Sequence, residues 1–113
     1  MFIAMNRFRV RKTMEEAFEQ RWRSRGSRLH EMAGFAAFHL LRGPESDDHT
    51  LYVSHTIWKT QDDFIAWTKS AQFRDAHKDA GTGPSLTIGH PIFEGFESVP
   101  MTEIVNQTNA FSD

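Results

Sequence analysis

Cysteine is absent from the 113-residue chain, and that one absence removes disulfides, iron–sulfur clusters, cysteine–zinc sites and thiolate ligation of iron together. Any metal would have to rely on histidine or carboxylate. Long hydrophobic runs are lacking too. No stretch approaches the ~20 apolar residues of a membrane span, and Met1 to Val10 has no apolar leader core, so a cytoplasmic location is the default expectation. Nor is there an excess of charge of either sign. Thirteen Lys and Arg against fifteen Asp and Glu leave a formal charge of -2, which supplies no electrostatic reason for a nucleic-acid partner. Internal repeats and low-complexity tracts are missing as well.

What is present is the composition of a globular protein, with 39% hydrophobic and 25% charged residues. The length suits one compact domain, expected over residues 1–100, with 101–113 as a polar, loosely ordered tail. The basic residues are uneven: Arg21, Arg23, Arg25 and Arg28 form a cluster that could meet an anionic ligand or simply make a solvated helix face.

Residues 2 to 11 alternate Phe2, Ala4, Asn6, Phe8 and Val10 against Ile3, Met5, Arg7, Arg9 and Arg11, the period of a strand with one wet face. Thr13 is placed to cap a helix in which Met14, Ala17, Phe18, Arg21, Trp22 and Arg25 recur at helical spacing, until Gly26 offers a stop. Gly34 to Arg42 predicts a strand ending in the turn-rich Gly43-Pro44-Glu45-Ser46-Asp47-Asp48, and Thr50 to Trp58 predicts its antiparallel partner. Thr60 with Asp63 three residues on marks the start of a helix carrying Phe64 and Trp67. Ser70 caps another, with Phe73, Ala76, His77 and Ala80 on its apolar stripe and Gly81-Thr82-Gly83-Pro84 at its end. Ile92 to Val99, between Pro91 and Pro100, predicts the last strand. The order β-α-β-β-α-α-β suits an α+β fold, a ferredoxin-like antiparallel sheet with helices on one face. The other sheet face needs a cover, and a two-fold dimer supplies one.

Three residues interrupt this apolar patterning. Asn6 lies in the apolar row of its strand, where an unpaired buried amide costs ~1–3 kcal/mol, so it needs a partner, either a neighbouring backbone group or a ligand. His77 lies on an apolar helix face with no carboxylate in the same turn as an evident zinc co-ligand, whereas heme needs only one imidazole. Trp67 is either core filler or a flat side chain able to press on a planar macrocycle. His55 rivals His77, since it shares a strand face with Leu51, Val53 and Ile57, and spacing alone does not choose between them. His49 adjoins a turn and His90 precedes Pro91, while His30 and His39 stay open.

Taken together, Asn6, the segment Ile57-Trp58-Lys59-Thr60 and the block from Phe64 through Trp67, Lys69, Ser70, Phe73 and Ala76 to His77 and Lys78 resemble the IsdG-type heme-degrading monooxygenases. Gly34-Phe35 before the second strand also agrees. That group belongs to the antibiotic-biosynthesis monooxygenase superfamily of dimeric α+β barrels. The resemblance implies that His77 is the axial ligand of heme iron, Asn6 a hydrogen-bond donor on the opposite, oxygen-binding side, and Trp67 the side chain that distorts the porphyrin. It implies heme b as both substrate and cofactor, O2, an external electron donor such as a reductase, and a homodimer. Arg21, Trp22 and Arg25 become candidate heme contacts, the arginines for the anionic propionates. The chain departs from that pattern around Gly26 to Met32, which is longer and more charged, and beyond Met101. The expected function is therefore oxidative opening of the porphyrin with release of iron and a linear tetrapyrrole. The alternatives are a heme-independent quinol or polycyclic monooxygenase of the same fold and a non-catalytic heme carrier.

Overall fold

The computed structural model describes residues 1–25, 27–77 and 85–106. Four strands, β1 (Phe2–Arg11), β2 (Phe35–Glu45), β3 (His49–Trp58) and β4 (Ile92–Glu97), form one antiparallel sheet in the order β2-β3-β1-β4. Among the described residues three α-helices accompany it: α1 (Glu15–Ser24), α2 (Gln61–Thr68) and α3 (Ala71–His77). A single 3-10 turn, Leu29–Glu31, leads into β2. The expected α+β arrangement with helices on one sheet face is the one observed. No helix among the described residues is long and apolar enough to cross a membrane.

The alternation in β1 sets the two faces. Phe2, Ala4 and Val10 are buried towards the helices, and register pairing places Trp58, Tyr52 and Thr50 of β3 on that same side. The helix side holds two separate apolar clusters. One contains Phe2, Ala4, Trp58 and Trp67; the other contains Val10, Phe18, Tyr52 and Leu86. Fully burying side chains of this size stabilises the fold by ~1.5–3 kcal/mol each. The opposite face carries Ile3, Met5, Val53, His55, Ile57, His39, Leu41 and Phe96, and no described helix packs on it.

Local chemistry explains most boundaries. The Thr60 side chain accepts from the Asp63 backbone N–H at 3.1 Å and the Ser70 side chain from that of Phe73 at 3.0 Å, so both expected caps start their helices. Gly34 adopts φ +81°, and a Cβ there would lie 2.1 Å from the Asp63 carboxylate, so only glycine fits the approach to α2.

Three expectations are corrected. Thr13 is not the cap of α1: at φ 70° it makes the left-handed turn that reverses the chain after β1, and Met14 takes the N-cap position with no side-chain bond. Gly43-Pro44 does not end β2, because the register shifts between Arg42 and Glu45 and an edge strand with a bulge tolerates proline. The last strand stops at Glu97 rather than Val99. An extended segment that the sequence pattern missed also pairs with the end of β1, where Arg11 N–H donates to Leu86 O at 2.9 Å and Ile88 N–H to Arg9 O at 2.8 Å. The stops expected at Gly26 and at Gly81 to Pro84, the apolar position Ala80, and the tail beyond residue 106 lie outside the described residues.

Candidate functional site

Between the two apolar clusters the helix-facing side of the sheet turns polar. Register pairing draws one row across all four strands: Leu40 on β2, Ser54 on β3, Asn6 on β1 and Phe93 on β4. Asn6 is half-buried, Ser54 is 5% exposed, and neither side chain makes a hydrogen bond among the described residues. A fold built only for stability would fill this row with aliphatic side chains, since each unpaired polar group forgoes a contribution of ~1 kcal/mol or more. The row therefore has hydrogen-bonding capacity left for something else.

His77, the last residue of α3, packs its ring on Phe73 with centroids 4.1 Å apart and lies 6.5 Å from the Trp67 ring. Its Nδ1 is 2.8 Å from the Phe73 carbonyl oxygen. A carbonyl can only accept, so the proton sits on Nδ1 and the lone pair of the neutral ring on Nε2, the arrangement of an imidazole whose second nitrogen is available to a metal. Partial burial lowers the His77 pKa from the ordinary histidine value; the Phe73 carbonyl opposes this and the Arg25 charge adds to it. His55 is on the opposite sheet face, its ring 5.7 Å from that of His39, away from Asn6 and Trp67. The topology thus separates the two rival histidines by a whole sheet.

Trp67 is 7% exposed and faces the sheet, 6.2 Å from Trp58 and 5.3 Å edge-on from Phe73. It is a core residue as well as a neighbour of His77. Ala4 permits the close approach of the indole to β1, two residues from Asn6 on the same face.

At the end of α1, Trp22 stacks on Phe38 at 5.6 Å and 19°. The Arg25 guanidinium lies 4.4 Å over the Trp22 ring, and Arg25 Nε donates to the Ala76 carbonyl at 3.1 Å. Arg25 thereby ties α1 to the turn of α3 that bears His77. Arg21 is exposed on the same helix. Arg23 is engaged by Glu16 and Glu19, and Arg28 by Glu31 and Asp75.

Sequence reasoning missed a second polar group. Glu19, 7% exposed, accepts from the Tyr52 hydroxyl, from Arg42 and from Arg23. The Tyr52 hydrogen bond, then Arg42, hold its carboxyl below the usual range, whereas burial and the neighbouring carboxylate push the Tyr52 phenol up. Its only signal in the sequence is a charged residue next to Phe18 on the inner side of α1. With Trp22, Phe38 and Leu40 these groups line an open cleft of about 350 Å³, near the small end of cofactor pockets (~300–1,000 Å³).

The donor set fits a heme better than a bare metal ion. Among the described residues no group of three His, Asp or Glu side chains could hold a metal. One imidazole with a free Nε2, flat aromatic walls and an unsatisfied polar pair suit a macrocycle that needs a single protein ligand.

The comparison with known proteins gives the class first, a small monooxygenase. Residues 1–79 match the model of the antibiotic biosynthesis monooxygenase family, and the chain belongs to that family. Within it, the chain is 35% identical over 82 residues to a staphylobilin-producing heme oxygenase of Staphylococcus haemolyticus, covering 70% of this chain and 75% of the relative. Among solved structures it resembles the heme degrader MhuD of Mycobacterium tuberculosis with two hemes bound in its active site (TM-score 0.66, 23% identity, 91% of this chain and 100% of that one). It also resembles SnoaB, a cofactor-independent oxygenase of Streptomyces nogalater (TM-score 0.62, 21% identity, 89% and 95% covered).

Proposed function

We propose that this chain is a heme-degrading monooxygenase that takes heme b as substrate and cofactor and, with O2 and an external reductase, opens the porphyrin and releases iron. The hydrogen bond from His77 Nδ1 to the Phe73 carbonyl carries the reading, because it leaves the Nε2 lone pair to bind iron. His77 would hold the iron, Asn6 would offer its amide from the sheet, and Trp67 would stand against the ring. The heme supplies the oxygen-activating chemistry when bound and reduced; the protein holds, orients and screens it. Trp22 forms a wall of the cleft, and Arg25, with Arg21 one turn earlier on α1, would meet the propionates. Two copies pack their uncovered sheet faces together as a dimeric barrel, burying Leu41 and Phe96, which are 43% and 49% exposed in one copy. Residues 1–100 act as the single domain and 101–113 as its tail.

Hemin titration tests this. One heme per chain with a sharp Soret band is expected, and the band should weaken greatly in His77→Ala. Adding a reductase and air should bleach the band with release of chelatable iron, and Asn6→Ala should keep the band but lose most of the bleaching. Failure of the wild type to bind hemin would favour the other reading, heme-free oxidation of a quinol or polycyclic phenol in the cleft beside Tyr52, which the likeness to SnoaB supports. Stable bound heme under reductant and air would point to a carrier.

A further inference from the structure

Asn6 has a neighbour whose chemistry the reading above leaves unused. Ser54 is its register partner on β3, its side chain is on the same helix-facing side of the sheet, and it is 5% exposed. Directly opposed residues of an antiparallel pair keep their Cβ atoms ~4.5–5.5 Å apart. On its other side Ser54 faces Leu40, which offers no polar atom. Within the row, the one polar side chain beside the Ser54 hydroxyl is therefore Asn6, and the two do not bond to each other. Serine is also a poor choice for the middle of a buried strand, where a β-branched aliphatic residue packs better and carries no polar atom.

Together the two side chains present an amide with two donors and an acceptor, and a hydroxyl that can donate or accept, at one spot on an otherwise apolar floor. A porphyrin laid against this floor would leave both unsatisfied if it offered only its hydrocarbon face. A small polar ligand between ring and sheet would satisfy both. We infer that Ser54 is a second binding residue beside Asn6, the pair forming a two-point hydrogen-bonding site for a small polar or anionic ligand held on the sheet side of the heme. The inference rests on the heme reading and deepens it.

Fluoride titration of the ferric hemin complex tests the pair, because fluoride is small, anionic and accepts hydrogen bonds. Ser54→Thr and Ser54→Val have nearly the same shape and differ in the hydroxyl. The threonine variant should bind fluoride within about twofold of wild type. The valine variant should bind it about tenfold more weakly, the equivalent of ~1.4 kcal/mol. Both should keep one hemin per chain and the wild-type Soret band. Equal fluoride affinity in the two variants, with hemin bound, would overturn the role of Ser54 and leave the heme reading standing. Absence of hemin binding by the wild-type protein would remove both.

Discussion

Replacing Glu19 by glutamine tests whether the polar group under the cleft contributes to the fold as its geometry implies. The carboxylate receives three partners of unequal value. Arg42 and Arg23 have side chains 63% and 57% exposed, so water and salt screen both ion pairs and they add little. Tyr52 is 1% exposed, and its hydroxyl donates to a charged acceptor in a dry place, a bond of ~1.5–3 kcal/mol. Glutamine keeps an acceptor oxygen, so about 1 kcal/mol of the tyrosine bond survives. The net loss is then roughly 0.5–2 kcal/mol, which for a chain of this size lowers Tm by about 2–8 °C.

The pH dependence supplies an independent check. The Glu19 carboxyl is held below its ordinary value of 4.5, first by Tyr52 and then by Arg42. A depressed carboxylate contributes stability that is complete above the unfolded-state pKa and is lost as pH falls through the folded-state one. The gap between wild type and Glu19→Gln should thus be full at neutral pH and close steadily below about pH 4.5. Thermal melts by circular dichroism at neutral and acid pH measure both. A fall in Tm under about 2 °C at neutral pH, or a gap that persists unchanged at pH 3, would refute the reasoning.

Four further outcomes are expected. Arg25→Ala should weaken hemin binding about five- to tenfold, because the Nε bond to the Ala76 carbonyl that steadies the last turn of α3 is lost; Soret titration reads this. Trp67→Ala should cost ~3–5 kcal/mol of stability in urea melts, since the indole is core, so its part in turnover has to be tested with Trp67→Phe, which keeps most of the packing. Leu41→Asp and Phe96→Glu should leave the monomer fold intact by circular dichroism and shift sedimentation from dimer to monomer. Hemin at a hundredfold excess over its Kd should stabilise the wild type by ~2.7 kcal/mol, and His77→Ala should keep the apo-protein Tm while losing most of that gain.

Local chemistry made much of the fold legible. The period-two alternation of β1, the Thr60 and Ser70 caps and the hairpin of β2 and β3 each depend on residues close in sequence. What escaped was non-local. Pro44 reads as a turn until β2 is known to be an edge strand with a bulge, and Thr13 reads as a cap until the chain is seen to reverse through it. The Leu86 to Ile88 segment carries too few residues to announce a strand and is ordered by β1. The Glu19 group joins residues 23 and 33 positions apart. At the site, His55 and His77 were indistinguishable because β3 is apolar on both faces: Tyr52 and Trp58 on one, Val53 and Ile57 on the other. Alternation then names two faces without saying which is inner, and only the pairing of β3 with β1 assigns His55 to the side away from the helices.

The divided core is the feature that links fold to function. Trp58 and Tyr52 anchor clusters at opposite ends of the same strand, six residues apart, with Ser54 and Thr56 between them. Stability is thus concentrated where α2 with α3 and α1 each meet the sheet, and the middle is free to be polar. Such a sheet can carry Asn6 at little cost to the apo protein, because the amide is only half-buried there. A flat ligand bound there would remove the solvent and incur the cost, which would be offset by whatever the amide then bonded to. A ligand lacking a polar atom at that spot is penalised by the same row. On the proposed heme reading, selectivity for a ring that brings its own hydrogen-bonding partner would follow from the polar centre of this row.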